Sequence, residues 1–332
     1  MREIHADRCL NQSLSTRAHP VRGYFYIGSA TFLWGVAATL GRAVFTGKLL
    51  PAGQVLRPID PLILSQSRTS LSLIVLLPLL AATRGWKNLA LPRADLVRCL
   101  ILGVLGIAVS NYTYYLAIEK TNVATAIIVQ YTAPVWVLLY TVARGLQRAS
   151  VKRFAAVALA VVGSALAIGV VGTGEIRLNV VGVGAALVAA FSFAFYNVGG
   201  HSILARYDRW IVLLWTLVAA SAFWMVINPP WKVVAAHYSG GQWLFLLIFS
   251  LLSVLAPFVL YFAGLQHLEP TRAIVGSCLE PVFSIVIAAL VLGEVVRPIQ
   301  TLGIVIVLVA IVVVQLPDGT LAAEQTVVEP IE

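Results

Sequence analysis

The sequence predicts an all-α integral membrane protein in which ten transmembrane helices form two inverted five-helix repeats around a central cavity. Three observations support this fold class: the composition, the spacing of the apolar runs and an internal repeat. The chain of 332 residues is 60% hydrophobic and only 11% charged, and its mean hydropathy is +0.91. Soluble domains carry about 25% charged residues. Lipid is therefore the solvent that the surface of this chain requires.

The apolar runs have the length of membrane spans. A spanning helix needs about 20 mostly apolar residues, and open strands are excluded because unpaired backbone groups are too costly in hydrocarbon. Clusters of Pro, Gly and charged residues separate the runs. The predicted spans lie near residues 24–46, 62–83, 97–118, 122–143, 154–172, 180–200, 210–228, 243–265, 271–292 and 299–316.

The distribution of positive charge predicts the orientation of the chain. With the N-terminus in the cytoplasm, 15 of the 23 Lys and Arg residues fall on the cytoplasmic side and 6 on the outer side. Cytoplasmic loops are enriched in Lys and Arg, so both termini are expected to be cytoplasmic, with tails at 1–22 and 317–332. The net charge of +9 comes from these short loops, which argues against nucleic acid as a partner.

An internal repeat divides the chain into two halves. Residues 125–136 align with 272–283, with Ala, Ile, Pro and Val in register and Trp136 opposite Phe283. The alignment predicts repeats at 23–174 and 175–316. Because each repeat holds five spans, the second must be upside down in the membrane, and inverted repeats are typical of secondary transporters with a binding site at the midplane. The alternative is chance similarity among apolar helices.

Several short motifs then resemble a known family. These are Tyr114–Ile118, Pro134, Glu280–Val282 and Leu292–Glu294. Together they resemble the EamA branch of the drug/metabolite transporter superfamily, and within it the YddG-type exporters of aromatic and other amino acids. The resemblance implies a ten-helix inverted repeat that exports amino acids and related small metabolites by alternating access in a bacterial inner membrane. One departure is Ala133, which stands opposite Glu280 and makes any carboxylate chemistry one-sided.

Glu280 is the sharpest candidate for a functional group. A carboxyl inside a span is expensive and is usually paired, protonated or exposed to water. We predict a proton-linked or substrate-amine-linked role; the alternative is a packing carboxyl that bonds a backbone group freed by Pro281. Pro134 and Pro281 interrupt helical hydrogen bonding at equivalent places, which predicts paired hinges or static curvature.

The first repeat also contains a predicted substrate-binding wall. Asn111, Tyr114 and Tyr115 share one helix face at i, i+3 and i+4, and Gln130 and Tyr131 follow on the next span. The alternative is a tyrosine belt at the membrane interface, but amides gain little there. The remaining candidates for substrate contact in the second repeat are Tyr196, Asn197, Tyr261 and Ser277. Trp34 of the first span is a further candidate, although core packing is the favoured interpretation for it.

Arg42 and Arg68 lie inside the first two spans. We expect their heads to reach the interface, with attraction of a substrate carboxylate as the alternative. The sequence contains no phosphate-binding G-x-x-x-x-G-K-[ST] loop and no metal or nucleophile cluster, so we expect neither enzymatic activity nor a cofactor. The expected partners are a small-molecule substrate and the lipid bilayer, with the chain a monomer or weak homodimer. The alternative functions with the same fold are export of drugs, quaternary amines or nucleotide sugars. Less favoured alternatives from other classes are an intramembrane enzyme and a channel.

Overall fold

The described part of the chain folds entirely into helices and their connections. The computed structural model describes residues 19–45, 59–121, 123–168, 179–293 and 295–316, and no strand occurs among them. Two short helices, Trp86–Leu89 and Pro230–Ala235, join longer ones. The long helices are α1 (Pro20–Phe45), α2 (Pro61–Arg84), α3 (Arg93–Lys120), α4 (Val123–Gln130 with Ala133–Ala143), α5 (Val151–Ala167), α6 (Val180–Leu204), α7 (Arg209–Ile227), α8 (Gly240–Leu265), α9 (Pro270–Ser277 with Leu279–Leu292) and α10 (Pro298–Gln315).

Eight of these helices, α2–α4 and α6–α10, are long and apolar enough to cross a membrane. The protein is therefore a multi-pass membrane protein. Helix α5 has 17 residues, and α1 has 26 but carries several Tyr, Thr and Gly residues and a Trp. That helices α1 and α5 also cross the membrane stays a prediction. The predicted tails, apart from residues 19–22, and Glu294 lie outside the described residues.

The helix boundaries follow local capping signals. The Asp60 carboxylate accepts the backbone N–H groups of Leu62 and Ile63 at the start of α2, at 2.7 and 3.2 Å. Ser239 and Gln242 form a reciprocal capping box at the start of α8. Such caps satisfy N–H groups that the first helical turn leaves unpaired.

The helices end at two opposite faces of the bundle. The face that holds the start of α1 and the loops at 85–92, 144–150, 205–208 and 266–269 is called the basic end, and the opposite face the far end. The described Lys and Arg residues at the basic end are Arg22, Arg84, Lys87, Arg93, Arg98, Arg144, Arg148, Lys152, Arg153, Arg206, Arg209 and Arg272; those at the far end are Lys120, Lys232 and Arg297.

Corresponding helices of the two halves run antiparallel where they touch. In the α2–α7 pair, Arg84 contacts Asp208 at 3.0 Å at the basic end. The Asn228 amide donates to Gln66 Oε1 at 2.8 Å at the other end of the same pair. Helices α5 and α10 also pack antiparallel, because Gly163 lies against Val307 while Ala167 lies against Gly303.

Four irregularities interrupt the helices at positions related by the sequence repeat. Helix α3 contains a π-helical segment at Leu102–Ala108, and α8 contains one at Leu251–Leu255. Helix α4 breaks at Tyr131–Thr132, and α9 breaks at Cys278. Pro134 and Pro281 therefore lie in the first turn of a new helical segment, where a missing N–H is tolerated.

Candidate functional site

A cavity of about 670 Å³ lies between the two halves. Its wall comes from α1, α2, α3, α4, α6, α8 and α9, together with the far ends of α5 and α10. Ile118, Ile168 and Val295 lie on its wall and belong to the far end. The cavity therefore extends from the middle of the bundle towards the far end.

Eleven of the thirteen residues predicted from sequence line this cavity. Asn197 and Tyr261 are absent from the lining and lie behind it, each fully buried. The residues that line the cavity are Trp34, Asn111, Tyr114, Tyr115, Gln130, Tyr131, Pro134, Tyr196, Ser277, Glu280 and Pro281. That they contact a substrate stays a prediction.

The first-half wall is aromatic and carries unused hydrogen-bonding groups. The rings of Tyr114 and Tyr115 meet edge to face with centroids 5.8 Å apart. The side-chain amides of Asn111 and Gln130 form no hydrogen bond with any described residue, although both line the cavity. Polar groups inside a membrane protein usually face a partner or a wet cavity. These amides are available to a ligand.

Glu280 occupies the second-half wall. The break at Cys278 starts a new helical segment, and Glu280 lies in its first turn, where the helix dipole favours negative charge. The hydroxyl of Tyr131 lies beside the carboxylate, and Arg68 acts on it electrostatically from a greater distance. No side-chain nitrogen of a described Lys or Arg residue lies within 4.0 Å of the Glu280 carboxylate oxygens, so Glu280 forms no salt bridge with them.

The direction of the Arg68 side chain differs from the one that the sequence predicts. Its guanidinium turns into the bundle and lines the cavity instead of reaching the interface. Its Nε donates to Ser253 Oγ at 2.9 Å, one terminal nitrogen donates to the Ser253 carbonyl at 3.3 Å, and the other donates to the Tyr115 hydroxyl at 3.5 Å. The side chain of Arg42 lies outside the described residues.

The Ser253 carbonyl is free to accept these bonds for a local reason. In a regular helix it would accept the N–H of residue 257, but Pro257 has none. The carbonyl instead accepts the Trp34 indole N–H at 3.1 Å and the Arg68 guanidinium. Ser253 lies in the π-helical segment of α8, and such segments are frequent at functional sites. Pro257, four residues after Ser253, was the sequence signal for this arrangement.

The inner floor of the cavity is an aromatic and amide cluster. Trp34 packs against Phe258 and Tyr261, with ring centroids 5.5 and 5.4 Å apart, so it has both the packing role and a cavity face. The Tyr261 hydroxyl donates to Asn197 Oδ1 at 2.5 Å, and the Asn197 amide donates to the Phe193 carbonyl. These bonds satisfy the buried polar groups of the floor.

Replacing Tyr261 with phenylalanine should destabilise this floor. The change leaves Asn197 Oδ1 buried without its donor, which costs about 1–3 kcal/mol. A thermal unfolding measurement on the purified protein should show a lower melting temperature. Tyr140→Phe is the matched control, because Tyr140 is half exposed on the outside of α4; equal shifts in the two variants would contradict the assignment.

The basic end is closed by polar bridges between the halves. Asp95 on α3 bonds the Tyr207 hydroxyl at 2.6 Å and contacts Arg206 at 2.9 Å, and Arg84 contacts Asp208. The bond to Asp95 raises the pKa of Tyr207, so the phenol stays a donor. Gln147 bridges Thr271 and Glu269 at 2.6 and 3.2 Å. An opening towards the basic end requires these bridges to break.

The described residues hold no cluster of three or more His, Cys, Asp or Glu side chains that could bind a metal. Fold and site together define a polytopic helical membrane protein with a central polar cavity that is closed at one end. The chain belongs to the EamA-like transporter family, whose profile matches residues 21–169 and again residues 180–316. It is a membrane transporter.

Two curated proteins are similar to this chain. It is 24% identical over 226 residues to the Salmonella typhimurium protein named "Uncharacterized inner membrane transporter YicL", covering 68% of this chain and 74% of that one. It is 26% identical over 214 residues to an Archaeoglobus fulgidus protein named "Uncharacterized transporter", covering 63% and 75%. A solved crystal structure matches 90% of this chain and 97% of its own with a TM-score of 0.71 at 19% identity, which shows the fold alone.

Proposed function

We propose that the protein is a secondary transporter that exports amino acids, aromatic ones included, by alternating access across a bacterial inner membrane. The observation that carries the proposal is one cavity with a cationic corner and an anionic corner. Arg68 lies on one wall and Glu280 on another, and Tyr114 lies within electrostatic reach of both. An α-amino acid carries one carboxylate and one ammonium group, which complement this pair of charges.

The rest of the cavity suits a side chain. Phe249, Phe258 and Phe193 line it with the tyrosines of the first-half wall. Ligand cavities combine apolar and aromatic walls with a few placed polar groups. This lining accepts an aromatic or apolar side chain, while the Asn111 and Gln130 amides offer hydrogen bonds to a polar one.

The packing of the bundle supports an inverted repeat. Exchange of α1–α5 with α6–α10 turns each large inter-half contact into another that is present: α3–α6 becomes α8–α1, and α4–α6 becomes α9–α1. The pairs α2–α7 and α5–α10 each map onto themselves and run antiparallel. A repeat related by an axis along the membrane normal would make them parallel, so the second half is proposed to be inverted with respect to the first.

The charge distribution supports a cytoplasmic basic end with both termini on that side. The cavity then faces outwards, and the bridges of Asp95 and Arg84 close the cytoplasmic side. Paired breaks in α4 and α9, next to Pro134 and Pro281, supply places where the helices can bend. Rocking of the two halves about these breaks would expose the cavity to each side in turn.

Export of quaternary amines is the second candidate. Tyr114 and Tyr131 lie near Glu280, and aromatic faces with a carboxylate recognise such cations. Arg68 opposes a ligand whose only charge is positive, which favours amino acids. A nucleotide sugar calls for more cationic groups than the one arginine found on the described cavity wall.

The test is efflux from proteoliposomes loaded with labelled Phe, Thr or Met. We expect saturable efflux that excess unlabelled amino acid inhibits, and no efflux from liposomes without protein. Absence of saturable efflux for every amino acid, with efflux of a quaternary amine, would replace the proposal by the second candidate. Single-channel conductance would contradict a carrier of either kind.

A further inference from the structure

We infer that Arg68 and the π-helical segment of α8 form a carboxylate-binding corner in the cavity. The inference deepens the proposed function, because it assigns the part of the substrate that each wall holds. Its chemistry is that of an anionic carboxylate in contact with a guanidinium that the protein has fixed in place but not neutralised.

Arg68 lacks a carboxylate counter-ion in direct contact among the described residues. No carboxylate oxygen of a described residue lies within 4.0 Å of the Arg68 guanidinium nitrogens, so Arg68 forms no salt bridge with them. All three of its hydrogen bonds end on neutral oxygens, those of Ser253 and Tyr115. A charged side chain inside a membrane span is rare and usually marks a substrate path or a pairing partner. Glu280 acts on this arginine only at longer range, so a ligand carboxylate is the group that can contact and neutralise it.

The geometry around Arg68 is fixed by neighbouring side chains. The Arg68 backbone carbonyl accepts the Ser250 hydroxyl at 2.8 Å, and Ser250 Oγ lies 2.8 Å from Ser72 Oγ. The head group is held by Ser253, and Phe249 lies beneath it with 5.5 Å between the guanidinium carbon and the ring centroid. A guanidinium has five N–H donors in a rigid fork. The hydrogen bonds to Ser253 and Tyr115 use three of these donors. The remaining donors can bind a carboxylate, the anion that this fork matches best.

The carboxylate-binding corner lies where the two halves meet. Arg68 belongs to α2 of the first half, whereas Ser253 and Phe249 belong to α8 of the second. A carboxylate bound there contacts the seam between the halves, in the same cavity as Glu280. The ammonium group of the same ligand can then reach Glu280. Substrate binding therefore joins both halves through one small molecule.

The experiment uses three ligands of one shape that differ in charge. These are phenylalanine, 3-phenylpropionate, which lacks the amine, and phenethylamine, which lacks the carboxylate. Thermal stabilisation of the purified full-length protein by each ligand gives an apparent Kd, because a ligand that binds only the folded state raises its stability. The variants are Arg68→Gln and Arg68→Lys, with Arg93→Gln as control, since Arg93 is exposed at the basic end.

For Arg68→Gln we expect the apparent Kd of phenylalanine and 3-phenylpropionate to rise about tenfold or more, with phenethylamine unchanged or bound more tightly. Arg68→Lys should keep the preference for the two carboxylates at weaker affinity, and Arg93→Gln should match the wild type. If Arg68→Gln is not recovered as a monodisperse protein, Arg68→Met and Ser253→Ala serve instead. Ser253→Ala keeps the charge, so it should keep the carboxylate preference.

Two results would overturn the corner: an equal loss for all three ligands, which indicates a structural role, or an unchanged Kd for 3-phenylpropionate. Failure of the proposed function looks different. If 3-phenylpropionate binds in an Arg68-dependent manner but no amino acid binds or is transported, the carboxylate corner stands and amino-acid export falls.

Discussion

Replacing Glu280 with glutamine is expected to reduce the efflux of labelled phenylalanine by about tenfold or more. Glutamine keeps the size of the side chain and its contact with the Tyr131 hydroxyl, but it removes the only acidic charge on the described cavity wall. The ammonium group of the substrate then has no anion to bind. The measurement is initial efflux rate from proteoliposomes at matched protein content.

Glu119→Gln is the matched control for this change. Glu119 is exposed at the far end of α3 and pairs with Lys120 at 2.7 Å, outside the cavity lining. Its loss should leave efflux within the error of the wild type. Efflux by Glu280→Gln equal to that of the control would remove Glu280 from the mechanism. If efflux also keeps its pH dependence in Glu280→Gln, a proton-linked role for this carboxyl fails.

Replacing Gly303 with alanine is expected to destabilise the packing of α5 against α10 strongly. An added Cβ would lie 2.3 Å from the Ala167 backbone nitrogen and 2.7 Å from the Gly163 carbonyl oxygen. Backbone atoms on the facing helix cannot rotate away as a side chain can, so α5 and α10 must separate. Overpacking of this kind costs about 1–3 kcal/mol. The observable is a melting temperature several degrees lower, with less monodisperse protein recovered in detergent.

Gly184→Ala supplies the control for the added methyl group. Gly184 lies in α6, and an added Cβ there meets nothing within 4 Å. Alanine is also about 1 kcal/mol better than glycine within a helix, so this variant should be as stable as the wild type or slightly more so. If Gly303→Ala proves as stable as Gly184→Ala, the close α5–α10 contact does not exist in the membrane.

The sequence predicted the helices well because membrane spans leave a strong signal. A run of about 20 apolar residues is rare outside a membrane span, and the described part of the chain contains eight such helices. The ends were less accurate: the predicted span 154–172 begins at Val151 in the structure, and its residues 169–172 lie outside the described residues. Small residues on its face, Ala156 and Ala160, pack in one buried cluster with Val307 of α10.

The site was predictable where polar residues interrupt an apolar background. Glu280, Asn111 and Gln130 stand out for that reason, and each lines the cavity. Arg68 stands out equally, but its destination depends on side-chain direction. A long arginine can reach the interface or turn inwards, and the oxygens that hold it inwards belong to Ser253 and Tyr115 on other helices. Sequence spacing within one helix does not contain that information.

Asn197 and Tyr261 show a different limit of predicting a binding site from sequence. Both are polar residues inside spans and were expected to face a substrate, but their hydrogen bond to each other lets them remain fully buried. A polar residue inside a span needs a partner, and that partner can be another residue 64 positions away in the sequence. Pairing between helices is a tertiary property, so no local pattern distinguishes a cavity wall from its support.

In the proposed mechanism, one cavity between the two halves is open to a single side of the membrane at a time. The decisive experiment is the reaction of an impermeant maleimide with a thiol introduced as Ala38→Cys, in a background without Cys9, Cys99 and Cys278. Ala38 lines the cavity and is exposed to it. We expect labelling from the outer face of right-side-out vesicles and little labelling in inverted ones, and saturating phenylalanine should change the rate of labelling from the outer face. Equal labelling from both faces, or labelling from the cytoplasmic face alone, would contradict it.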